Sequence, residues 1–141
     1  PPAGEQDGPE AVEYQLGHHP RYHDNCRASE DEFRATLARS GRPFEAVRGW
    51  FEDTVPRWAA TAAPIAVLRL DGDWYESTLV CLRHLWPLLA ERGVLLVDDY
   101  PTWRGCTQAV HEFLAELDEP VPLRHGTFGV TYAVKPGSGS G

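Results

Sequence analysis

The stretch IAVLRLDGDWYESTLVCLRHLWPLLAERGVLLVDDY, residues 65–100, decides the fold predicted for this chain. Its two continuous apolar runs, 65–70 and 94–97, are typical of strands covered on both faces of a sheet. Between them, leucines recur at helical spacing, and we expect this helix to bend or restart at Pro87 and to end at Gly93. The stretch therefore predicts one β-α-β unit with neighbouring parallel strands.

The rest of the chain continues the alternation of helices and strands. Ser29 and Glu32 form a capping box, which indicates a helix start. The further predicted elements are helices over 26–41, 53–60 and 106–119, a short strand over 43–51 that runs into a turn at Gly49, and two closing strands over 121–135. This order predicts an α/β fold with a mostly parallel sheet and an antiparallel hairpin at its C-terminal end.

Composition narrows the class of protein. A net charge of -8 argues against a nucleic-acid partner, since phosphate backbones call for basic patches. No apolar run has the length of a membrane span and nothing at the start resembles a signal peptide, so we expect a cytoplasmic protein without a membrane partner. Cys26, Cys81 and Cys106 lack the spacing of metal ligands and indicate reduced thiols.

The predicted domain covers residues 14–135. Residues 1–13 have the composition of a flexible arm, and residues 136–141, PGSGSG, that of a linker-like tail. The chain contains no methionine, so we expect that residue 1 is not a natural translation start. The oligomeric state is left open, and a homo-oligomer is among the alternatives.

Paired carboxylates follow both strands of the central unit. Asp71 and Asp73 follow the first strand, and Asp98 and Asp99 follow the second. Because open α/β sheets bind ligands at the carboxyl ends of their strands, we expect both pairs at one rim. Crowded carboxylates need a counter-charge, and Arg69 is the nearest basic residue in sequence. A divalent cation that takes oxygen ligands (Mg²⁺, Mn²⁺ or Ca²⁺) meets this need.

A structural alternative is that these aspartates only cap the helices that follow them. Asp73 or Ser77 could cap the helix that begins near Tyr75. The second pair is harder to explain in this way, because Pro101 and the aromatic residues around it indicate a loop.

The segments LRLDGDWYEST, GVLLVDDY and GWFEDTVP together resemble the macrocin O-methyltransferase family, over about Tyr14 to Tyr132. Its members are class I, metal-dependent sugar O-methyltransferases of macrolide and aminocoumarin biosynthesis. The resemblance implies a partial Rossmann-like class I methyltransferase sheet, with S-adenosyl-L-methionine and Mg²⁺ as cofactors. It also implies that a glycosylated small molecule is the substrate, and that this chain is the C-terminal portion of such an enzyme.

The resemblance further implies roles for individual aspartates. By it, Asp71, Asp98 and Asp99 ligate Mg²⁺, and an aspartate of the DGD segment is the general base. Asp73 is favoured as the base if Asp71 is committed to the metal, and the choice between the two stays open.

Part of the cofactor site is also implied. Gly49, Trp50 and Phe51 match the turn that lines the adenine pocket in related methyltransferases, and Asp71 is grouped with them as a cofactor-binding residue. A role for Trp50 and Phe51 as plain core aromatics is an equal alternative. The family's glycine-rich cofactor loop has no counterpart in this sequence, so we expect this chain alone to be inactive.

Two other functions compete with this interpretation. A haloacid-dehalogenase-type, Mg²⁺-dependent phosphatase also carries D-x-D after a strand, but it needs a lysine between its acidic motifs, and the only lysine here is Lys135. A non-catalytic truncated fragment is the other alternative.

Two further features have open interpretations. His18, His19 and His23 predict a polar loop over the substrate mouth in preference to a Zn²⁺ site. Trp103 is predicted either to face the substrate as part of a lid or to cover the sheet edge.

Overall fold

The computed structural model describes residues 2–19, 29–126 and 129–137, and it confirms the α/β class. A 3₁₀ turn at Glu5–Asp7 precedes the first helix. The helices are α1 (Pro9–Gln15), α2 (Glu30–Ala38), α3 (Phe51–Ala59), α4 (Tyr75–Leu85) and α5 (Arg104–Ala115). The strands are β1 (Ile65–Leu70), β2 (Leu89–Val97), β3 (Arg124–His125) and β4 (Thr131–Val134). His23, Cys26 and most of the predicted tail lie outside the described residues.

Within the described residues, the sheet has four strands in the order β1-β2-β4-β3. β1 and β2 are parallel, β4 is antiparallel to β2, and β3 is antiparallel to β4. The predicted parallel pair and the C-terminal hairpin are therefore confirmed. Leu70 pairs with Val97 at the end of the parallel ladder, so β1 and β2 end side by side.

The hydrophobic core lies between the sheet and two helices. α4 packs against both α5 and β1, and α3 packs against α4. Leu82 of α4, Val110 of α5, Leu95 of β2 and Ala133 of β4 are wholly buried in this layer. This packing holds β1 and β2 rigidly, so the loops at their carboxyl ends have a fixed base.

β1 is covered on only one face, although its apolar run predicts burial on both. Leu68 and Leu70 face the core and are 6% and 7% exposed, whereas Val67 is 58% exposed. β1 is also an edge strand of the described sheet. The predicted burial of both faces was wrong. An apolar run shows that the side chains of a strand suit burial, but the helices or loops that would cover its second face must come from elsewhere in the fold.

The predicted long helix after β1 was wrong in its C-terminal half. α4 stops at Leu85, and Gly93, the predicted end, lies inside β2. Pro87 lacks the N–H that would continue the helix. The ammonium of Lys135 donates to the backbone oxygen of Trp86, 2.9 Å away, where the helix dipole favours a cation. The helix therefore ends early, and β2 is longer than predicted.

The strand predicted over 43–51 is absent. These residues are irregular as far as Trp50, and α3 begins at Phe51 instead of Asp53 and continues through Pro56. A strand needs a neighbour that takes up its backbone N–H and C=O groups. No strand pairs with this segment within the described part of the chain. Its residues therefore do not form a strand, although their pattern is typical of one.

Residues 5–7 and 9–15 are helical and packed, in contrast to the flexible arm expected over 1–13. Ala11 is fully buried and Asp7 is 5% exposed. Oδ1 of Asp7 accepts the N–H of Tyr75, the first residue of α4, at 2.7 Å. Composition cannot reveal this contact, because Asp7 and its partner are far apart in sequence.

Several local predictions are confirmed. Ser29 and Glu32 form the capping box of α2, in which each backbone N–H donates to the other side chain. Cys81 and Cys106 are buried and carry free thiols. Over the ranges that the structure describes, no helix combines the length and apolar character needed to cross a membrane.

Candidate active site

The two acidic pairs lie at one rim of the sheet, at the carboxyl ends of β1 and β2. The backbone N–H of Asp98 donates to the carbonyl oxygen of Leu70 at 3.0 Å, which extends the pairing of the two strands beyond their last residues. The loop that begins at Asp71 after β1 therefore starts directly beside the loop that begins at Asp98 after β2. Adjacent parallel strands and their crossover helix are enough to produce this arrangement.

Arg69 joins the first carboxylates of the two pairs. Its Nη2 lies 2.8 Å from Oδ2 of Asp71 and 2.6 Å from Oδ2 of Asp98. Arg69 and Asp71 are two residues apart along an extended segment, so both side chains are on the same face of β1. The basic residue nearest in sequence thus supplies counter-charge to two of the four aspartates.

The second carboxylates of the two pairs, Asp73 and Asp99, contact each other. Asp73 has a left-handed backbone with φ 58°, and its N–H donates to Oδ2 of Asp99 at 3.1 Å. The pKa of Asp99 is raised to about 7, first by burial and then by the charge of Asp73. Burial also raises the pKa of Asp73, against interactions with Asp99 and Trp103 that lower it. Burial and the charge of Asp73 therefore favour the protonated form of Asp99 far more than in an exposed aspartate.

The stability of the protein should depend on pH through this pair. The folded-state pKa of Asp99 lies above the unfolded value of about 3.9. Its contribution to stability is therefore fully present below about pH 4 and is lost as pH rises through about 7. In the presence of a chelator, we expect urea unfolding to show lower stability at pH 8 than at pH 5, and Asp99→Asn to remove most of this loss.

The matched control is Asp98→Asn, since that carboxylate faces Arg69 instead of Asp73. This variant should keep the loss of stability between pH 5 and pH 8. Equal pH dependence in wild type and Asp99→Asn would contradict the raised pKa of Asp99.

Metal ligation by Asp71, Asp98 and Asp99 stays a prediction. Within the described residues, no three His, Cys, Asp or Glu side chains are arranged to hold a metal ion, because Asp71 and Asp98 share Arg69 whereas Asp99 faces Asp73. The chemistry of the donor set nevertheless fits Mg²⁺, which prefers carboxylate oxygens. The charges of Asp73 and Asp71 raise the pKa of Asp99 in addition to burial, which is the effect of crowded negative charge that a divalent cation would offset.

An open cleft of about 340 Å³ adjoins the rim. Its walls include all four residues predicted to bind the cofactor, together with the candidate base: Gly49, Trp50, Phe51, Asp71 and Asp73. The structure thus brings the predicted turn and the first acidic pair into one place. Gln15, Gly72, Trp74 and Ser77 complete the lining, and sequence reasoning did not assign them to a cofactor site.

The turn before α3 is shaped to expose its aromatic side chain. Gly49 has φ 141°, and a Cβ there would lie 2.7 Å from Cγ2 of Thr54, so the position requires glycine. Trp50 is 60% exposed and Phe51 38% exposed. The alternative of plain core aromatics is therefore wrong for Trp50, whose ring is available to a ligand.

The capping alternative for the first acidic pair is not what the structure shows. The N-cap residue of α4 is Trp74, and no side chain of its own segment caps the helix. Asp7 takes that role instead through the N–H of Tyr75. Asp71 and Asp73 therefore remain available to the cleft.

Trp103 is 9% exposed, which excludes an open lid position. Its ring packs between Tyr14, with centroids 5.0 Å apart, and Trp74, at 5.1 Å. Trp103 also acts on Asp73, since an interaction between the two side chains lowers the pKa of Asp73. The aromatic packing of Trp103 links residues distant in sequence, which spacing could not predict.

The histidine cluster is only partly described. Nε2 of His19 lies 3.2 Å from Oε1 of Glu10, which belongs to the adjoining helix α1. His23 is outside the described residues. No metal group including His18 or His19 is formed by the residues that the structure covers.

Comparison with known proteins gives a consistent result. A family model described as Macrocin-O-methyltransferase (TylF) matches residues 12–132. The chain is 38% identical over 102 residues to the 8-demethyl-8-(2,3-dimethoxy-alpha-L-rhamnosyl)-tetracenomycin-C 4'-O-methyltransferase of Streptomyces olivaceus, a match that covers 69% of this chain and 38% of that enzyme. It is 42% identical over 93 residues to the demethyldecarbamoylnovobiocin O-methyltransferase of Streptomyces niveus, covering 64% of this chain and 35% of that enzyme.

Among solved structures, the O-methyltransferase NovP has a similar fold. The TM-score is 0.74 with 33% sequence identity, and the match covers 96% of this chain and 55% of that one. The chain spans well under half the length of the curated relatives it matches.

Proposed function

Because this chain belongs to the macrocin O-methyltransferase family, we propose that the whole protein transfers a methyl group from S-adenosyl-L-methionine to a sugar hydroxyl of a glycosylated natural product. Relatives whose names specify a 4'-O-methyltransferase of a rhamnosyl-tetracenomycin and a mycinamicin III 3''-O-methyltransferase support a sugar acceptor. The observation that carries the proposal is the cleft in which the turn Gly49–Phe51 meets Asp71 and Asp73.

In this proposal, the exposed ring of Trp50 contributes to the adenine site of the donor. Its exposure leaves an aromatic face available for stacking. Phe51 and Gly72 form the floor beside it, since a Cβ on Gly72 would lie 3.3 Å from Cε2 of Phe51. The remaining donor contacts are assigned to the part of the whole protein that the relatives have and this chain does not match.

Asp73 is proposed as the general base. A base works best when its pKa is raised towards the operating pH, and burial raises the pKa of Asp73. Asp71 is less suited, because its carboxylate is paired with Arg69. Asp73 takes the proton of the sugar hydroxyl as the sugar oxygen bonds to the methyl carbon and the bond from that carbon to the donor sulfur breaks.

Asp71, Asp98 and Asp99 are proposed to hold Mg²⁺. When bound, the ion supplies Lewis acidity that lowers the pKa of the sugar hydroxyl. The hydrogen bond from the backbone N–H of Asp73 to Asp99 holds the base in place, so part of the rate comes from orientation.

The phosphatase alternative gains no support from the structure. Nζ of Lys135 donates to the backbone oxygens of Trp86 and Leu89, at the opposite end of β2 from the acidic rim. Lys135 therefore cannot contact the aspartates of the rim, as the phosphatase reaction would require.

The test is methyl transfer by the whole protein with S-adenosyl-L-methionine and glycosylated acceptors. We expect transfer to a sugar hydroxyl, its loss on chelation of divalent cations and its return when Mg²⁺ is added. Absence of transfer to every sugar acceptor would refute the proposal, and transfer that survives chelation would refute its metal component alone. Release of inorganic phosphate from phosphorylated sugars would favour the phosphatase.

A further inference from the structure

Arg69 links the carboxyl ends of the two parallel strands through a single nitrogen atom. Nη2 contacts Oδ2 of both Asp71 and Asp98, at 2.8 Å and 2.6 Å. The contact with Asp98 is a charge-assisted hydrogen bond, the stronger class of such bonds in proteins, and the contact with Asp71 is an ion pair. The guanidinium therefore already occupies two of the carboxylates that the proposed function assigns to Mg²⁺.

We propose that Arg69 is a positioning residue, an internal counter-cation that holds Asp71 and Asp98 together and competes with the divalent cation for them. The inference rests on the proposed function, because it concerns the same carboxylates. It assigns a role to a residue for which the resemblance implies none.

Charge explains why Arg69 is needed at the rim. Asp71 and Asp98 both contact the same nitrogen atom of Arg69, so their carboxylates are close together and would repel each other if both were ionised without a cation between them. The second carboxylates, Asp73 and Asp99, lie at the same rim and contact each other, so they add to the negative charge there. The guanidinium offsets the repulsion of the first carboxylates and keeps the two loops in register.

Charge also explains why Arg69 competes with the metal. A divalent cation on the same carboxylates would lie within a few ångströms of a guanidinium that carries the same sign of charge. The Arg69 side chain is 54% exposed, so it can move into solvent without opening the core. Binding of the cation thus requires the carboxylates to exchange one positive partner for another.

The inference is tested by Mg²⁺ titration of the 141-residue chain, followed by calorimetry. We expect Arg69→Gln to bind Mg²⁺ about tenfold more tightly than wild type, since a nearby like charge is removed. Arg69→Lys keeps the charge and should stay closer to wild type. Arg83→Gln is the matched control, because Arg83 is similarly exposed and ion-paired with Glu116 away from the rim; its affinity should equal that of wild type.

Thermal unfolding provides a second measurement that a merely structural role would not explain. Arg69→Gln should lower the midpoint in chelator and recover it when Mg²⁺ is added, whereas a structural role predicts the same loss in both conditions. Equal or weaker Mg²⁺ binding by Arg69→Gln would overturn the inference and leave the proposed methyl transfer intact. Absence of binding in both wild type and Arg69→Gln would overturn the inference and the metal component of the proposed function together.

Discussion

Replacing Asp73 with Asn is expected to lower the rate of methyl transfer by the whole protein about 10²–10⁴-fold, the usual contribution of a general base. Asn keeps the size of the side chain but cannot accept the sugar proton. It also tolerates the left-handed backbone with φ 58° found at this position. The loss should therefore appear in kcat, with little change in the unfolding midpoint.

Asp71→Asn is the matched variant for this prediction. It removes a carboxylate that contacts Arg69 and not Trp103, so we expect weaker Mg²⁺ binding and partial recovery of activity at high Mg²⁺. Asp73→Asn should bind Mg²⁺ nearly as tightly as wild type does, and its activity should not recover at high Mg²⁺. The reverse pattern would assign the base to Asp71, the alternative that the sequence leaves open.

Gly105→Ala is expected to destabilise the protein by about 3 kcal/mol, which is the sum of overpacking and a damaged helix cap. A Cβ at Gly105 would lie 1.7 Å from Oδ1 of Asp7. Asp7 would then have to move, and the N–H of Tyr75 would lose its acceptor at the start of α4. Helix propensity alone predicts the opposite sign, because Ala is favoured over Gly inside a helix by about 1 kcal/mol.

A double-mutant cycle separates these effects. Asp7→Ala removes the obstructing carboxylate, so adding Gly105→Ala to it should cost little or even stabilise the protein. Urea unfolding of the four proteins gives the coupling energy. Additive effects of the two substitutions would contradict the close contact between Asp7 and Gly105.

Local pattern was a sound guide wherever the cause of a structure is itself local. The capping box of Ser29 and Glu32 depends on residues three apart. The run over 65–70 forms a strand because its apolar side chains suit a buried sheet position. Pattern failed over 43–51, where the same kind of segment has no strand to pair with in the described residues.

In the candidate site, too, the local pattern predicted some features and the tertiary structure decided others. The meeting of both acidic pairs at one rim follows from the sequence order of strand, helix and strand, since a right-handed crossover brings the two strands side by side. The partners of each carboxylate do not follow from it. Arg69 turned out to contact Asp71 and Asp98, while Asp99 faces Asp73.

The sequence by itself determined the fold class and the position of the acidic rim, because hydrophobic period and residue order decide which strands lie next to each other. Its motif segments, and not its periodicity, carried the resemblance to the family. Only the tertiary structure decided that Asp7 caps α4, that Trp103 packs between Tyr14 and Trp74, and that Arg69 bridges two strand ends. The physical reason is that hydrogen bonds and ion pairs act over about 3 Å. Which distant side chains come that close depends on how the helices and strands pack together.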